Sequence, residues 1–289
     1  MVEGLFRVRL DDDTIRLAAG PPDAGPRRWL GSDLTIAAIL RAGTSGLADA
    51  LAGPGEEAVD PARVAAILAP VDDQEVWAAG VTYRRSRDAR KDESSVADVY
   101  DLVYEAERPE LFFKAQGWRV VGPDDAIGVR TDSAWDVPEP ELGLVIAADG
   151  SIAGWVIGND VSSRTIEGEN PLYLPQAKVY DRSCALGPCL VSRAALVDPF
   201  DIHLRIERGG EAVFEGSTST RAIVRRFDDL AAALVHALAF PAGAILLTGT
   251  GVVPDASFTL LPRDVVDIAI DGLGRLRNPV VAVGGRPAG

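Results

Sequence analysis

Cysteine and histidine are almost missing from this chain, with two of each in 289 residues. Cys184 and Cys189 stand in "CALGPC", a spacing that fits neither a zinc-ligand pattern nor a redox C-x-x-C. They read as reduced, buried thiols of a cytoplasmic protein rather than as a disulfide framework. His203 falls on the polar side of the alternating "IHLRIE", and His236 lies off the Leu230, Leu234, Leu238 stripe of its helix. Both therefore read as surface residues and not as general bases. Basic residues are also in deficit: 29 Lys and Arg against 43 Asp and Glu leave a net charge of −14. That balance repels phosphate backbones and anionic bilayers, which argues against nucleic acid as a partner. No run approaches the ~18 apolar residues of a membrane span, and no apolar h-region follows "MVEGLFRVRL", so no membrane role is expected. No G-x-x-x-x-G-K-[ST] occurs, and "GTGVVP" lacks the spacing and the helix of a dinucleotide fingerprint.

What is present suffices for a sizeable core, since 47% of residues are hydrophobic and 25% charged. The length suits one large domain, or a large domain with a small one attached. Residues 1–72 read as a small N-terminal α+β domain. In it "SDLTIAAILRAG" suggests a helix capped by Ser32, and "DPARVAAIL" one with Pro61 at its first position. Residues 73–289 have a different texture, with short β-type runs between Gly, Pro and Asp turns. One amphipathic helix, from Phe227 to Phe240, interrupts them, and no repeat of 20 to 50 residues recurs.

Within this β-rich part, "WDVPEPELGLVI" places Glu139 and Glu141 two residues apart in a run that otherwise reads as a buried strand. The continuation "AADGSIAGWVIGND" predicts a hairpin with Asp149-Gly150 as a two-residue turn. That register sets Glu141 opposite Gly158, which leaves open space, and Glu139 opposite Asp160. Alternation then puts Glu139, Glu141 and Asp160 on one face, with opposed Cβ atoms ~5 Å apart and i,i+2 positions ~7 Å apart. Three carboxylates at such separations do not all ionise comfortably without a cation among them, unless one or more point to solvent. An all-oxygen set suits a hard ion: Mg²⁺ first, then Mn²⁺ or Ca²⁺, with zinc disfavoured.

The runs "PEPELGLVI", "IGNDVSSR", "AKVYDRSCALGP" and "LLTGTGVV" together resemble the fumarylacetoacetate hydrolase superfamily, over roughly Val76 to the C-terminus. The resemblance implies an α+β, mostly β chain: a mixed β-sandwich roll as catalytic domain with a small N-terminal domain. It also implies Mg²⁺ or Mn²⁺ on Glu139, Glu141 and Asp160, and a 2-oxo acid as substrate. Lys178 matches the family's active-site lysine and Thr250 its substrate-carboxylate contact. At least a homodimer is implied, either a dimer or a dimer of dimers.

One departure is informative. Family hydrolases carry "G-x-N-Y-x-x-H", whose His activates water, whereas this chain reads "GVTYRRSRDAR" with Ser86 at the His position. Hydrolysis is demoted accordingly. The stretches "RDARKDESSVADVYDLVYEAERPELFFKA" and "EGENPLYLPQAKVYDRSCALGP" resemble instead the subgroup that dehydrates 2-keto-3-deoxy-pentonates, derived from arabinonate or xylonate, to 2,5-dioxopentanoate. There Glu110 matches a proposed acid/base, although by residue type alone it also reads as a surface charge. Lys178 and Glu110 are the candidates for proton transfer. Ser86, Arg84, Arg85 and Lys114 are candidates for contacting an anionic substrate, with a solvated charged helix face the other reading of "RRSRDARK". The run after Ser94 and Ser95 reads as an amphipathic helix, either closing over the site or packed on the surface. Two rival functions stay open: an acylpyruvate hydrolase or oxaloacetate decarboxylase on the same metal site, and a non-catalytic 2-oxo-acid binder.

Overall fold

β-Branched and leucine-rich runs separated by turn residues become strands along most of the chain. The structure is a computed structural model that describes residues 2–83 and 106–285. In order the strands are β1 (Gly4–Leu10), β2 (Ile15–Gly20), β3 (Arg28–Trp29), β4 (Val64–Leu68), β5 (Glu75–Gly80) and β6 (Glu110–Ala115). They continue with β7 (Ile127–Arg130), β8 (Asp136–Val137), β9 (Pro140–Ile146), β10 (Ile152–Asp160), β11 (Ser162–Ser163) and β12 (Cys184–Ser192). The last are β13 (Asp201–Arg208), β14 (Glu211–Ser219), β15 (Ala244–Leu247), β16 (Val265–Ile270) and β17 (Gly274–Val283). The helices are α1 (Ile36–Arg41), α2 (Gly46–Ala52), α3 (Arg164–Glu169), α4 (Leu174–Lys178) and α5 (Phe227–Val235).

The larger sheet runs β3-β2-β1-β12-β10-β9-β15-β5-β6, with β4 also paired to β1, and is mixed because β15 lies parallel to β5 and antiparallel to β9. A second sheet runs β14-β13-β16-β17-β7. Every residue of β9, β10 and β12 is buried, as expected of central strands covered on both faces. One core joins Leu142, Leu144, Trp155 and Ile157 to Ile202, Leu204, Val266 and Ile268 of the second sheet. The other joins Val145, Val156 and Leu190 to Ile36, Leu40 and Leu47 of α1 and α2. The result is three layers, helices on sheet on sheet, in an α+β fold that is mostly β.

Glu141 has the parity of Val145, and Asp160 that of Val156, so the carboxylates extend the face that α1 and α2 cover farther along. Glu141 is opposite Gly158, and the Asp160 N–H donates to the Glu139 carbonyl at 3.0 Å, as the hairpin reading expects. The tip differs. Ala147 N–H donates to Ser151 O, and only Gly150 has positive φ (+84°), so the loop is one residue longer than a two-residue turn. A bulge between Ile152 and Gly154 then restores the pairing. The space expected beside Gly158 is filled, because a Cβ there would meet the side chains of Leu247 and Leu186.

Other expectations are corrected locally. Thr35, not Ser32, caps α1, its side chain accepting from Ala38 N–H at 3.1 Å. Pro61 opens a single 3-10 turn (Pro61–Arg63), after which the β-branched Val64 and Ile67 continue as β4. Helix α5 stops at Val235, leaving Leu238 exposed. Strand β1 lies between β2 and β12, so strands on both sides of the expected 72/73 boundary share one sheet and one core. The helix read after Ser94 and Ser95 lies outside the described residues.

Candidate active site

Strands β9 and β10 deliver the carboxylates, and the backbone then locks them. Asn159 accepts from Glu139 N–H through its side-chain oxygen at 3.2 Å, fixing the end of β9 against β10. Glu139, Glu141 and Asp160 are 3%, 1% and 1% exposed, and each offers a ligand atom within 4.8 Å of the others. Burial pushes the Glu141 carboxyl well above its ordinary range, and the charges of Asp160 and Glu139 push it the same way. A buried carboxylate cluster under this strain fits a hard divalent cation held by the three side chains.

Lys178 ends α4 and reaches into the cluster. Its Nζ donates to Glu139 Oε2 at 2.9 Å, Asp160 Oδ2 at 3.0 Å and Ser162 Oγ at 2.5 Å. Arg164 opens α3, whose N-cap Ser163 accepts from Ile166 N–H. From there its Nη2 donates to Glu139 Oε1 at 3.1 Å, and its Nε lies 3.7 Å from Glu167 Oε2. The turn after β15 supplies a peptide donor: Gly249 N–H meets Glu141 Oε2 at 2.6 Å. Gly249 needs its φ of +85°, and a Cβ there would collide with the Thr82 hydroxyl that bonds Thr248 O.

These groups line one cleft. Glu110, the first residue of β6, lies opposite Gly80 and lines the same cleft, as does Thr250. Thr250 Oγ1 donates to Val252 O at 3.1 Å. Phe112, Leu174, Val252 and Val253 form its apolar wall. Lys114 does not line it. Fully buried behind Asp160, Lys114 donates to Val161 O at 3.0 Å and Lys178 O at 2.5 Å, and its Nζ lies 2.5 Å from Asp160 Oδ1. Arg84, Arg85 and Ser86 lie outside the described residues. His203 and His236 are exposed and away from the cleft, and both cysteines are buried free thiols.

Sequence reasoning missed Arg164 and Glu167. Arg164 closes the quoted "IGNDVSSR", and its i,i+3 spacing to Glu167 on a helix was the available signal. The Gly249 peptide donor had no side-chain signal at all.

A β-roll with a buried three-carboxylate centre and a lysine among its oxygens defines a divalent-metal enzyme. Residues 75–281 match the model for the fumarylacetoacetate (FAA) hydrolase C-terminal family, and the chain belongs to that family. It is 47% identical over 275 residues to a probable 2-keto-3-deoxyxylonate dehydratase of Haloferax volcanii, covering 94% of each chain. It is 43% identical over 221 residues to the 2-dehydro-3-deoxy-D-arabinonate dehydratase of Saccharolobus solfataricus, covering 74% of each. Among solved structures, a 2-keto-3-deoxy-D-arabinonate dehydratase complexed with magnesium and 2,5-dioxopentanoate superimposes with a TM-score of 0.79 at 33% identity, over 97% of this chain and 99% of that one.

Proposed function

We propose that this chain is a Mg²⁺-dependent hydro-lyase that converts a 2-keto-3-deoxy-pentonate, derived from D-arabinonate or D-xylonate, to 2,5-dioxopentanoate and water. The observation that carries it is the joint placement of Glu139, Glu141, Asp160, Lys178 and Glu110 on one cleft that His203 and His236 do not reach. The dehydratase relatives point to the same substrate class.

A bound Mg²⁺ supplies a Lewis acid for the substrate's 2-oxo and carboxylate oxygens. The chain's own residues do the rest. Thr250 and its turn receive the carboxylate end. A base takes a C3 proton, and an acid gives a proton to the departing C4 hydroxyl, which leaves as water. Isomerisation of the resulting unsaturated C5 alcohol then yields the aldehyde. Lys178 and Glu110 carry these two transfers, being, among the described residues, the ionisable groups on the cleft besides the three ligands and the paired Arg164 and Glu167.

The assay is aldehyde formation from each C4 epimer of the 2-keto-3-deoxy-pentonate, coupled to an aldehyde dehydrogenase, with Mg²⁺ and with a chelator. Metal-dependent aldehyde from one epimer is the expected result. Release of pyruvate from acylpyruvates or CO₂ from oxaloacetate, with no aldehyde, assigns the hydrolase or decarboxylase chemistry instead. We further propose a homodimer or dimer of dimers, read by light scattering. Cytoplasmic residence is proposed on the two free thiols; no helix among the described residues is long and apolar enough to cross a membrane.

A further inference from the structure

Each of the three carboxylates has one oxygen already held by a donor fixed in the fold. Arg164 Nε and Nη2 hold Glu139 Oε1, at 3.3 and 3.1 Å. Gly249 N–H holds Glu141 Oε2 at 2.6 Å. Lys114 Nζ holds Asp160 Oδ1 at 2.5 Å, an ion pair by distance rather than an aligned hydrogen bond. Each of these donors is held in place, Arg164 at the cleft wall by Glu139 and Glu167 together. Arg164 is 5% exposed, Lys114 is fully buried and also bonded to two peptide carbonyls, and Gly249 is backbone. The opposite oxygens, Glu139 Oε2 and Asp160 Oδ2, converge on one point, marked by the ammonium of Lys178 that bonds both.

We infer that Lys114, Arg164 and the Gly249 peptide act as three clamps that keep each carboxylate monodentate, so that the site presents single oxygens to a cation and selects Mg²⁺ or Mn²⁺ over Ca²⁺. The chemistry follows from coordination number. Ca²⁺ takes six to eight oxygens and commonly gathers them by bidentate carboxylates, whereas Mg²⁺ takes six and retains several for water or substrate. A carboxylate with one oxygen held by a fixed donor gives up or distorts that contact when it turns both toward the ion. Lys114 is on this reading a positioning residue, not a substrate contact.

The inference rests on the metal part of the proposed function, and its test needs no substrate. Isothermal titration calorimetry of the metal-stripped full chain with MgCl₂, MnCl₂ and CaCl₂ gives three dissociation constants. Continuous-wave EPR of bound Mn²⁺ reports its environment independently. The parent is expected to bind Mg²⁺ and Mn²⁺ at least about tenfold more tightly than Ca²⁺. Lys114→Met frees Asp160 Oδ1, and the ratio of Ca²⁺ to Mg²⁺ affinity is expected to rise by about tenfold. Loss of a buried positive charge alone strengthens both ions together and leaves that ratio unchanged, which would overturn the inference. If Lys114→Met does not fold, Arg164→Met frees Glu139 Oε1 and the same ratio decides. Absence of any divalent binding by the parent overturns the metal reading as well. A shifted ratio in a chain that makes no aldehyde leaves the clamps standing and removes only the proposed reaction.

Discussion

Asp136 shows how much one side chain contributes through its surroundings. It is 3% exposed, and its buried Oδ1 has no hydrogen-bond partner among the described residues. Burial lifts its carboxyl to about 6, against the smaller opposing pull of Ser133 and of the Arg130 backbone and charge. An unfolded chain releases the same proton near 3.9. The folded state therefore binds it more tightly, and the stability so contributed is present in acid and lost as pH rises from about 4 through about 6. Asp136→Asn is neutral at every pH, so its thermal midpoint is expected to exceed the parent's at pH 7.5 and to match it near pH 4. A midpoint at or below the parent's at pH 7.5 would refute this. Proton transfer is read at the same scale. Lys178→Met and Glu110→Gln are each expected to cost at least about 100-fold in turnover while calorimetry still detects Mg²⁺. Near-normal rates in either variant remove that residue from the chemistry. The ligand set was legible in the sequence because E-x-E and a hairpin partner are local, and alternation alone puts them together. The clamps were not legible: Gly249 reaches Glu141 across 108 residues, and Lys114 reaches the Lys178 carbonyl across 64.

Between elements, the contact that sets the position of Glu110 is the one between β5 and β6. Gly80 stands opposite Glu110, and a Cβ on it would collide with Glu110 Oε2, the far end of a flexible side chain. Gly80→Ala is thus expected to leave the melting temperature close to the parent's while moving Glu110 and lowering turnover by about tenfold or more. Unchanged turnover would show that Glu110 has space elsewhere. Gly158→Ala is the contrasting case. Its Cβ would meet Leu247 and Leu186 inside a core, so overpacking of about 1–3 kcal/mol is expected in chemical denaturation. Strand identity was readable here from short β-type runs bounded by Gly, Pro and Asp turns, whereas boundaries and caps were not. Thr35 displaced Ser32 as cap because α1 begins at Ile36 rather than earlier, and one proline in "DPARVAAIL" could not outweigh a β-branched run with a sheet edge to join.

At the scale of the whole molecule, the three layers tie the first strand to the last. Leu5, Phe6 and Val8 of β1 are fully buried, and β1 covers the edge of β12. A fragment of residues 73–289 would expose that edge and would lack about half of the core that α1 and α2 cover. It is expected to be insoluble or unfolded by circular dichroism, although its sequence texture changes where a domain boundary was expected. A well-folded, monodisperse fragment would establish the boundary after all. The buried carboxylates also link the whole fold to its cation. Mg²⁺ at 100 times its dissociation constant stabilises the native state by about 2.7 kcal/mol. The thermal midpoint is therefore expected to rise with MgCl₂ and to fall back with chelator, with NaCl of equal ionic strength having little effect. No response to Mg²⁺ would count against the site.

The three clamps are not equally open to inheritance. Lys114 and Arg164 are side chains that most single replacements abolish, so metal preference in descendants of this chain can drift through either position. The donor to Glu141 belongs to the peptide at Gly249, and among the standard residues only proline lacks it. Proline cannot adopt the φ of +85° found there, and any other replacement sets a Cβ against Thr82, so the turn that aims this donor accepts only glycine. The carboxylate that burial pushes up is thus restrained by backbone at a position the fold reserves for glycine, and not by a side chain.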